Sequence, residues 1–276
     1  MHRDLGNVLE IVVKTDPGMV RSHNEDAVYA NAAQGLAILA DGMGGYNAGE
    51  VASGMATTLL ASQLDQAFHV QAPQEIDAKT GRSVAHARLI EHIAQANSSI
   101  FRAAESQPQY AGMGTTLVVA LFYDNRVTIA HIGDSRCYRM RDGRFEQLTR
   151  DHSLLQEQID SGMITAEDAR QSQNKNLVTR ALGVDPEVEP ELSDYEVRPG
   201  DLLLLCSDGL NDMVPDEEIA LTIQALGANL ELAGSQLIQM ANDNGGRDNV
   251  SAILVKVAGD FHAPRGWWER FLAWLK

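Results

Sequence analysis

The chain has little cysteine, few basic residues and no long apolar run. Each scarcity excludes something. Two cysteines in 276 residues, Cys137 and Cys206, provide no disulfide framework and no metal-ligand spacing. Neither has an arginine six residues later, so the cysteine-nucleophile route to phosphate ester cleavage is absent. Lys and Arg total 22 against 38 Asp and Glu, a formal net charge of −16, which repels nucleic acid and anionic lipid and rules against a general phosphate-backbone binder. No segment approaches the ~20 apolar residues that span a bilayer. Met1 to Thr15 contains neither a long apolar region nor a small-residue cleavage site, so the expected location is the cytoplasm. A Gly-x-x-x-x-Gly-Lys-Ser/Thr loop is also missing, so nucleotide binding by that route is not indicated. At 44% hydrophobic residues the chain is long enough to bury a sizeable core.

Short β-type runs recur at Leu9–Lys14, Leu36–Ala40, Thr115–Tyr123, Arg126–Ile132, Cys137–Arg141, Leu202–Cys206 and Val250–Val257. The turn pairs Asp124-Asn125 and Asp142-Gly143 make the central group read as an antiparallel meander. Helical periodicity covers about Ala48–Phe68 and Val84–Arg102, the second with Leu89, Ile93, Ala96 and Ile100 on one face. A later pair covers Asp216–Leu226 and Leu230–Asn242, and acids at 216–218 suit the positive end of a helix. Strands and helices are segregated, which points to an α+β fold rather than a doubly wound parallel sheet. Residues 70–81 read as a surface insertion, and 151–183 as an irregular polar segment with a short helix on each side of Gly162.

Four aspartates follow or end apolar strands beside turn residues: Asp41 in Ala-Ile-Leu-Ala-Asp-Gly-Met-Gly-Gly (37–45), Asp134 in His-Ile-Gly-Asp-Ser-Arg (131–136), Asp208 in Leu-Leu-Cys-Ser-Asp-Gly-Leu (204–210) and Asp248 in Gly-Gly-Arg-Asp-Asn (245–249). A fifth, Asp26, ends Arg-Ser-His-Asn-Glu-Asp (21–26). Strand ends give carboxylates a rigid base, and hard divalent cations prefer such oxygen ligands. Any one Asp-Gly is ordinarily only a turn. The combination carries the reading.

These motifs, with Thr-Asp-Pro-Gly-Met-Val (15–20) and Gly-Met-Gly-Thr-Thr (112–116), occur in an order that resembles the metal-dependent protein phosphatases of the protein phosphatase 2C type, in their bacterial serine/threonine form. The likeness runs from about residue 9 to 257. It implies a central sandwich of two mainly antiparallel β-sheets flanked by helices (α-β-β-α), with a catalytic domain at 1–260 and a flap at about 151–182 beside the metal cleft. It also implies two Mn2+ or Mg2+ ions plus a weaker third, and hydrolysis of phosphoserine and phosphothreonine by a hydroxide bridging the metals, opposing a Ser/Thr kinase. Asp41 would bridge the core ions with the Gly42 carbonyl, and Asp208 and Asp248 would ligate one of them. Glu25 and Asp26 would act beside the site, and Asp134 would hold the third ion with Asp208. Arg21 would bind the substrate phosphate as a bidentate fork, and Asn249 would orient a phosphate oxygen or a water. Animal members carry histidine two residues after Asp41 as general acid; here Met43 cannot donate a proton, and a water on the third ion is the preferred substitute. A structural role is expected for His131.

Two other readings stand beside this one. One is a phosphatase of the same fold acting on small esters or phosphotyrosine. The other is a binding module for phosphorylated partners, which the full set of Asp26, Asp41, Asp208, Asp248 and Arg21 opposes. A monomer is expected. All three tryptophans fall in the tail, 261–276, where a helix would put Trp267, Phe271, Trp274 and Leu275 on one face. That face suits a membrane surface, a protein partner or the chain's own domain.

Overall fold

The computed structural model describes residues 4–45, 47–165, 168–169 and 177–263. Residues 264–276 of the expected tail (261–276) and part of the expected flap, with the second of its short helices, lie outside the described residues. Among those described, eleven strands run β1 (Leu9–Asp16), β2 (Asp26–Asn31), β3 (Leu36–Met43), β4 (Gly114–Thr115), β5 (Leu117–Tyr123), β6 (Arg126–Ile132), β7 (Arg136–Arg141), β8 (Arg144–Gln147), β9 (Glu191–Glu196), β10 (Leu202–Cys206) and β11 (Val250–Val257). The helices are α1 (Ala48–Val70), α2 (Val84–Ser106), α3 (Leu154–Asp160), α4 (Asp208–Asn211), α5 (Asp216–Leu226) and α6 (Leu230–Asp243).

One sheet has the order β1-β11-β10-β7-β8 and the other β2-β3-β5-β6-β9, with β4 beside β3. Every strand pair is antiparallel. The sheets pack face to face through Leu39, Val118, Phe122 and Ile129 of one and Leu203, Leu205, Ile253 and Val255 of the other. Their outer faces are covered by helices. Ile38, Val119 and Leu121 meet Leu60, Leu64, Leu89 and Ile93 of α1 and α2. Leu204 and Leu254 meet Ile219, Ile223 and Leu237 of α5 and α6. The alternation explains why β10 reads as uninterrupted leucine: Leu203 and Leu205 face the other sheet, while Leu202, Leu204 and Cys206 face the helices. Each such side chain contributes about 1.5–3 kcal/mol by leaving water. The fold is thus the expected α+β sandwich. No helix among the described residues is long and apolar enough to cross a membrane.

The meander is corrected in one respect. Asp124-Asn125 does close the β5–β6 hairpin, and Asp142-Gly143 the β7–β8 hairpin, with φ of 47°, 54°, 51° and 78°, the positive pairs of a type I′ turn. β6 and β7, however, belong to different sheets. The chain changes layer at Gly133, where φ is +100° and a Cβ would lie 2.7 Å from Thr116. Three strands, β2, β8 and β9, have no counterpart in the apolar runs. They are only partly buried, β8 and β9 are mainly polar and β2 (Asp-Ala-Val-Tyr-Ala-Asn) is short and mixed, so they gain strand form from pairing with neighbours rather than from a clear pattern of their own.

Candidate metal centre

The topology gathers five aspartates from both sheets at one end of the sandwich. Asp26 opens β2 and lies directly across from Asp41 near the end of β3. Asp134 follows the end of β6, Asp208 opens α4 just beyond β10, and Asp248 precedes β11. β3 and β10 run toward this end, while β2 and β11 start from it, so antiparallel pairing brings the turns together within each sheet and face-to-face packing of the two sheets joins the two sets. The charges of Asp26, Asp208, Asp134 and Asp248 all act on Asp41. Glu25 sits to one side, among Arg21, Asp248 and Glu50.

Backbone closeness sets the carboxylates. A Cβ on Gly42 would lie 2.2 Å from the Gly49 carbonyl oxygen, and one on Gly209 would lie 2.0 Å from that of Asn249. Both glycines therefore let a neighbouring strand or helix end approach the aspartate just before them. The Asp41 backbone is pinned on both sides: its N–H donates to Thr116 Oγ1 (3.1 Å), and its carbonyl accepts from the Thr116 N–H (2.9 Å) and Thr115 Oγ1 (2.8 Å). Thr116 Oγ1 in turn shares a hydrogen bond with Ser135 (2.7 Å), next to Asp134. Asp26 Oδ2 accepts from Ser207 (2.9 Å) and Ser251 (2.6 Å), tying β2 to the opposite sheet.

Burial and mutual repulsion make this cluster a poor place for several bare negative charges. Burial, then the neighbouring Asp26 and Asp208, holds Asp41 well above the carboxylate range. Burial, then Asp134 and Asp212, does the same to Asp208. Asp26 is pushed to about 6 by burial, against the two serine hydrogen bonds, and Asp134 to about 7 by burial and the charge of Asp151. Burial also raises Glu25. Glu25 Oε1 and Asp26 Oδ1 are buried with no hydrogen-bond partner. Hard acceptor oxygens, packed together and incompletely satisfied, are the donor set that divalent oxygen-loving cations require. The residues fit the group.

Two expected residues are placed differently from one another. Arg21 donates to Asp248 Oδ2 (2.7 Å) from a half-exposed position, leaving other donors of its fork. Asn249 is buried and committed to the chain. Its Oδ1 accepts from the Glu25 N–H (2.8 Å), and its Nδ2 donates to the carbonyls of Pro17 (3.0 Å) and His23 (2.8 Å). Beside Asp134 and Asp208 opens a cavity of about 480 Å³, lined also by Arg136, Asp151, Asp212 and Asp216. Arg136 is held there by Asp151 in a two-point contact (3.0 and 2.7 Å).

His131, His152 and Glu191 also bring donor atoms within 4.8 Å of one another. Hydrogen bonding argues against a metal among them. His152 Nδ1 accepts from the Gly133 N–H (3.2 Å), so its proton is on Nε2, facing Glu191 at 3.5 Å. His131 Nε2 donates to the Arg150 carbonyl (2.8 Å), the structural role expected of it.

Sequence reasoning passed over Thr115, Thr116, Ser207, Asp212 and Ser251 as individual residues. For Ser251 a signal existed: a hydroxyl inside the buried, largely apolar run Val250–Val255 must find a partner. Asp212, one helical turn after Asp208, has no such mark in the sequence.

Comparison with known proteins gives the family. The family model described as protein phosphatase 2C matches residues 20–254. The serine/threonine protein phosphatase PstP of Mycobacterium tuberculosis is 42% identical over 250 residues, 91% of this chain; the chain spans 45% of that relative's length. The serine/threonine phosphatase stp of Listeria welshimeri is 40% identical over 246 residues, covering 88% of this chain and 94% of the relative. A solved catalytic domain of PstP, in complex with two manganese ions, superimposes with a TM-score of 0.79 at 41% identity over 91% of this chain and 99% of that one. The ordered motifs, the helix-flanked double sheet and these likenesses agree, and the chain belongs to the protein phosphatase 2C family.

Proposed function

We propose that the chain is a metal-dependent serine/threonine protein phosphatase that hydrolyses phosphoserine and phosphothreonine in proteins. The observation that carries the reading is the convergence of Asp26, Asp41, Asp134, Asp208 and Asp248 on one sandwich end, with buried carboxylate oxygens lacking partners. The manganese pair in the related PstP domain supports it. Asp41, the Gly42 carbonyl, Asp208 and Asp248 would hold two Mn2+ or Mg2+ ions, with Glu25 and Asp26 in support and Asp134 with Asp208 holding a third. Such ions supply a water of lowered pKa and neutralise charge gathering on the phosphoryl group.

The chain's own groups do the rest. Arg21, half exposed at the rim, presents its remaining guanidinium donors to two phosphate oxygens and orients the ester for in-line attack. Thr115 and Thr116 keep the Asp41 backbone from shifting. Asn249 acts as a positioning residue, clamping the loop from Pro17 to Glu25 that carries Arg21. Met43, half-buried at the end of β3, has no proton to give a leaving alkoxide. The catalytic unit spans 1–260 with its flap at about 151–182. It works as a cytoplasmic monomer and opposes a Ser/Thr kinase.

The test is phosphate release from phosphothreonine, phosphoserine and phosphotyrosine peptides with manganese, with chelator, and with Asp208→Asn. Loss of activity in the last two is expected. Activity surviving either would sink the two-metal reading, and a preference for phosphotyrosine would overturn the substrate class.

A further inference from the structure

At the end of the sandwich away from the metal centre, a groove of about 460 Å³ opens between the β2–β3 turn and the last turn of α1. Its floor is apolar and buried: Leu36, Phe68 and Leu121 are at most 3% exposed. Ala33 is on its exposed lip, and Asp4 and Asp65 give the rim negative charge. Leu36 is five residues before Asp41 on β3, or ~17 Å at strand rise, so the groove is not part of the metal centre.

The end of the described chain arrives beside it. Phe261 is buried between the sheets and its N–H donates to Asn125 Oδ1 (2.5 Å); the Ala263 N–H donates to Asp124 Oδ1 (2.7 Å). Asp124 is three residues beyond Leu121 on the same strand and turn, ~10 Å from the groove floor. The residues that follow, 264–276, carry Trp267, Phe271, Trp274 and Leu275 at helical spacing. They also hold three cations (Arg265, Arg270 and Lys276) against one acid (Glu269), in a chain of net charge −16. Thirteen residues reach ~20 Å even as a helix, twice the distance to be crossed.

We infer that residues 264–276 are the occupant of this groove, with an aromatic of the Trp267–Phe271–Trp274–Leu275 face on the floor formed by Leu36, Phe68 and Leu121 and the tail's cations toward Asp4 and Asp65. The tail is then a strap on the catalytic domain's own surface, at the end remote from chemistry. An apolar face in a groove and opposite charges at its rim are the ordinary terms of helix-in-groove recognition, made intramolecular by the short connection.

Because all three tryptophans are in the tail, tryptophan emission reports on the tail alone. In the full chain in lipid-free buffer, emission is expected to be blue-shifted, with an acrylamide quenching constant several-fold below that of the urea-unfolded chain and unchanged on dilution. Ala33→Arg at the lip and Phe271→Glu in the tail should each return both signals toward the unfolded values. Manganese-dependent phosphate release should not change. Neither substitution touches the buried core of the domain, so circular dichroism melting confirms folding independently. Solvent-like emission that shifts only when phosphatidylglycerol vesicles are added would overturn the inference in favour of a membrane surface. Protection that disappears on dilution, with a dimer on gel filtration, would overturn it in favour of a second copy. Protection untouched by Ala33→Arg would overturn the assignment of the groove.

Discussion

Replacing Asp26 by asparagine should stabilise the protein when metal is removed and cripple it when metal is present. In the folded chain Asp26 is moved from its ordinary 3.8 to about 6, chiefly by burial, while its two serine partners pull the other way. The folded state therefore tolerates the charge less well than the unfolded chain does. That destabilisation is absent at low pH, sets in as pH rises through 3.8, and is complete above about 6. At pH 8 it amounts to ~3 kcal/mol, and about half of that is already present at pH 5. Asparagine at this position keeps an oxygen for Ser207 and Ser251 and never ionises. In chelator, Asp26→Asn should thus melt ~6–12 °C above the parent at pH 8, and by about half that margin at pH 5. Adding manganese should reverse the order, because a ligand stabilises only the fold that binds it and the substitution removes a supporting carboxylate. Differential scanning calorimetry at both pH values, with chelator and with manganese, gives all four comparisons. A lower metal-free melting temperature for Asp26→Asn at pH 8, or a gain equal at the two pH values, would refute the reasoning.

Gly209→Ala places a Cβ 2.0 Å from the Asn249 carbonyl oxygen, so β11 and the start of α4 must separate; a loss of about 1–3 kcal/mol in urea unfolding and of manganese binding by calorimetric titration is expected. Arg21→Ala should lower kcat/KM by roughly 10- to 100-fold through loss of charge-assisted phosphate contacts, and Arg21→Lys should restore little of it because an ammonium lacks the fork. His152→Ala leaves the buried Gly133 N–H without an acceptor, at a cost of about 1–3 kcal/mol, whereas His152→Asn offers Oδ1 near the lost Nδ1 and should recover most of it in thermal melts.

The sequence by itself determined the long elements and singled out the acids that the fold brings together. β10 and most of β11 are legible because strands covered on both faces read as near-continuous apolar runs, and α2 because one stripe packs while the other faces water. The I′ turns at Asp124-Asn125 and Asp142-Gly143 are equally legible, since few residue pairs accept positive φ. Asp26, Asp41, Asp134, Asp208 and Asp248 could be named because each is a carboxylate next to a motif of fixed order. Only the tertiary structure decided how they act on one another. Whether β6 and β7 share a sheet depends on one close approach, Gly133 against Thr116, that no local pattern encodes. The same holds for Ser251 reaching across the layers to Asp26, and for Asn249 closing on the backbone of Pro17, His23 and Glu25. Spacing along the chain records which groups exist. Burial and distance between segments some two hundred residues apart set their charge, their partners and their work, and those quantities come into being only when the two sheets close on each other.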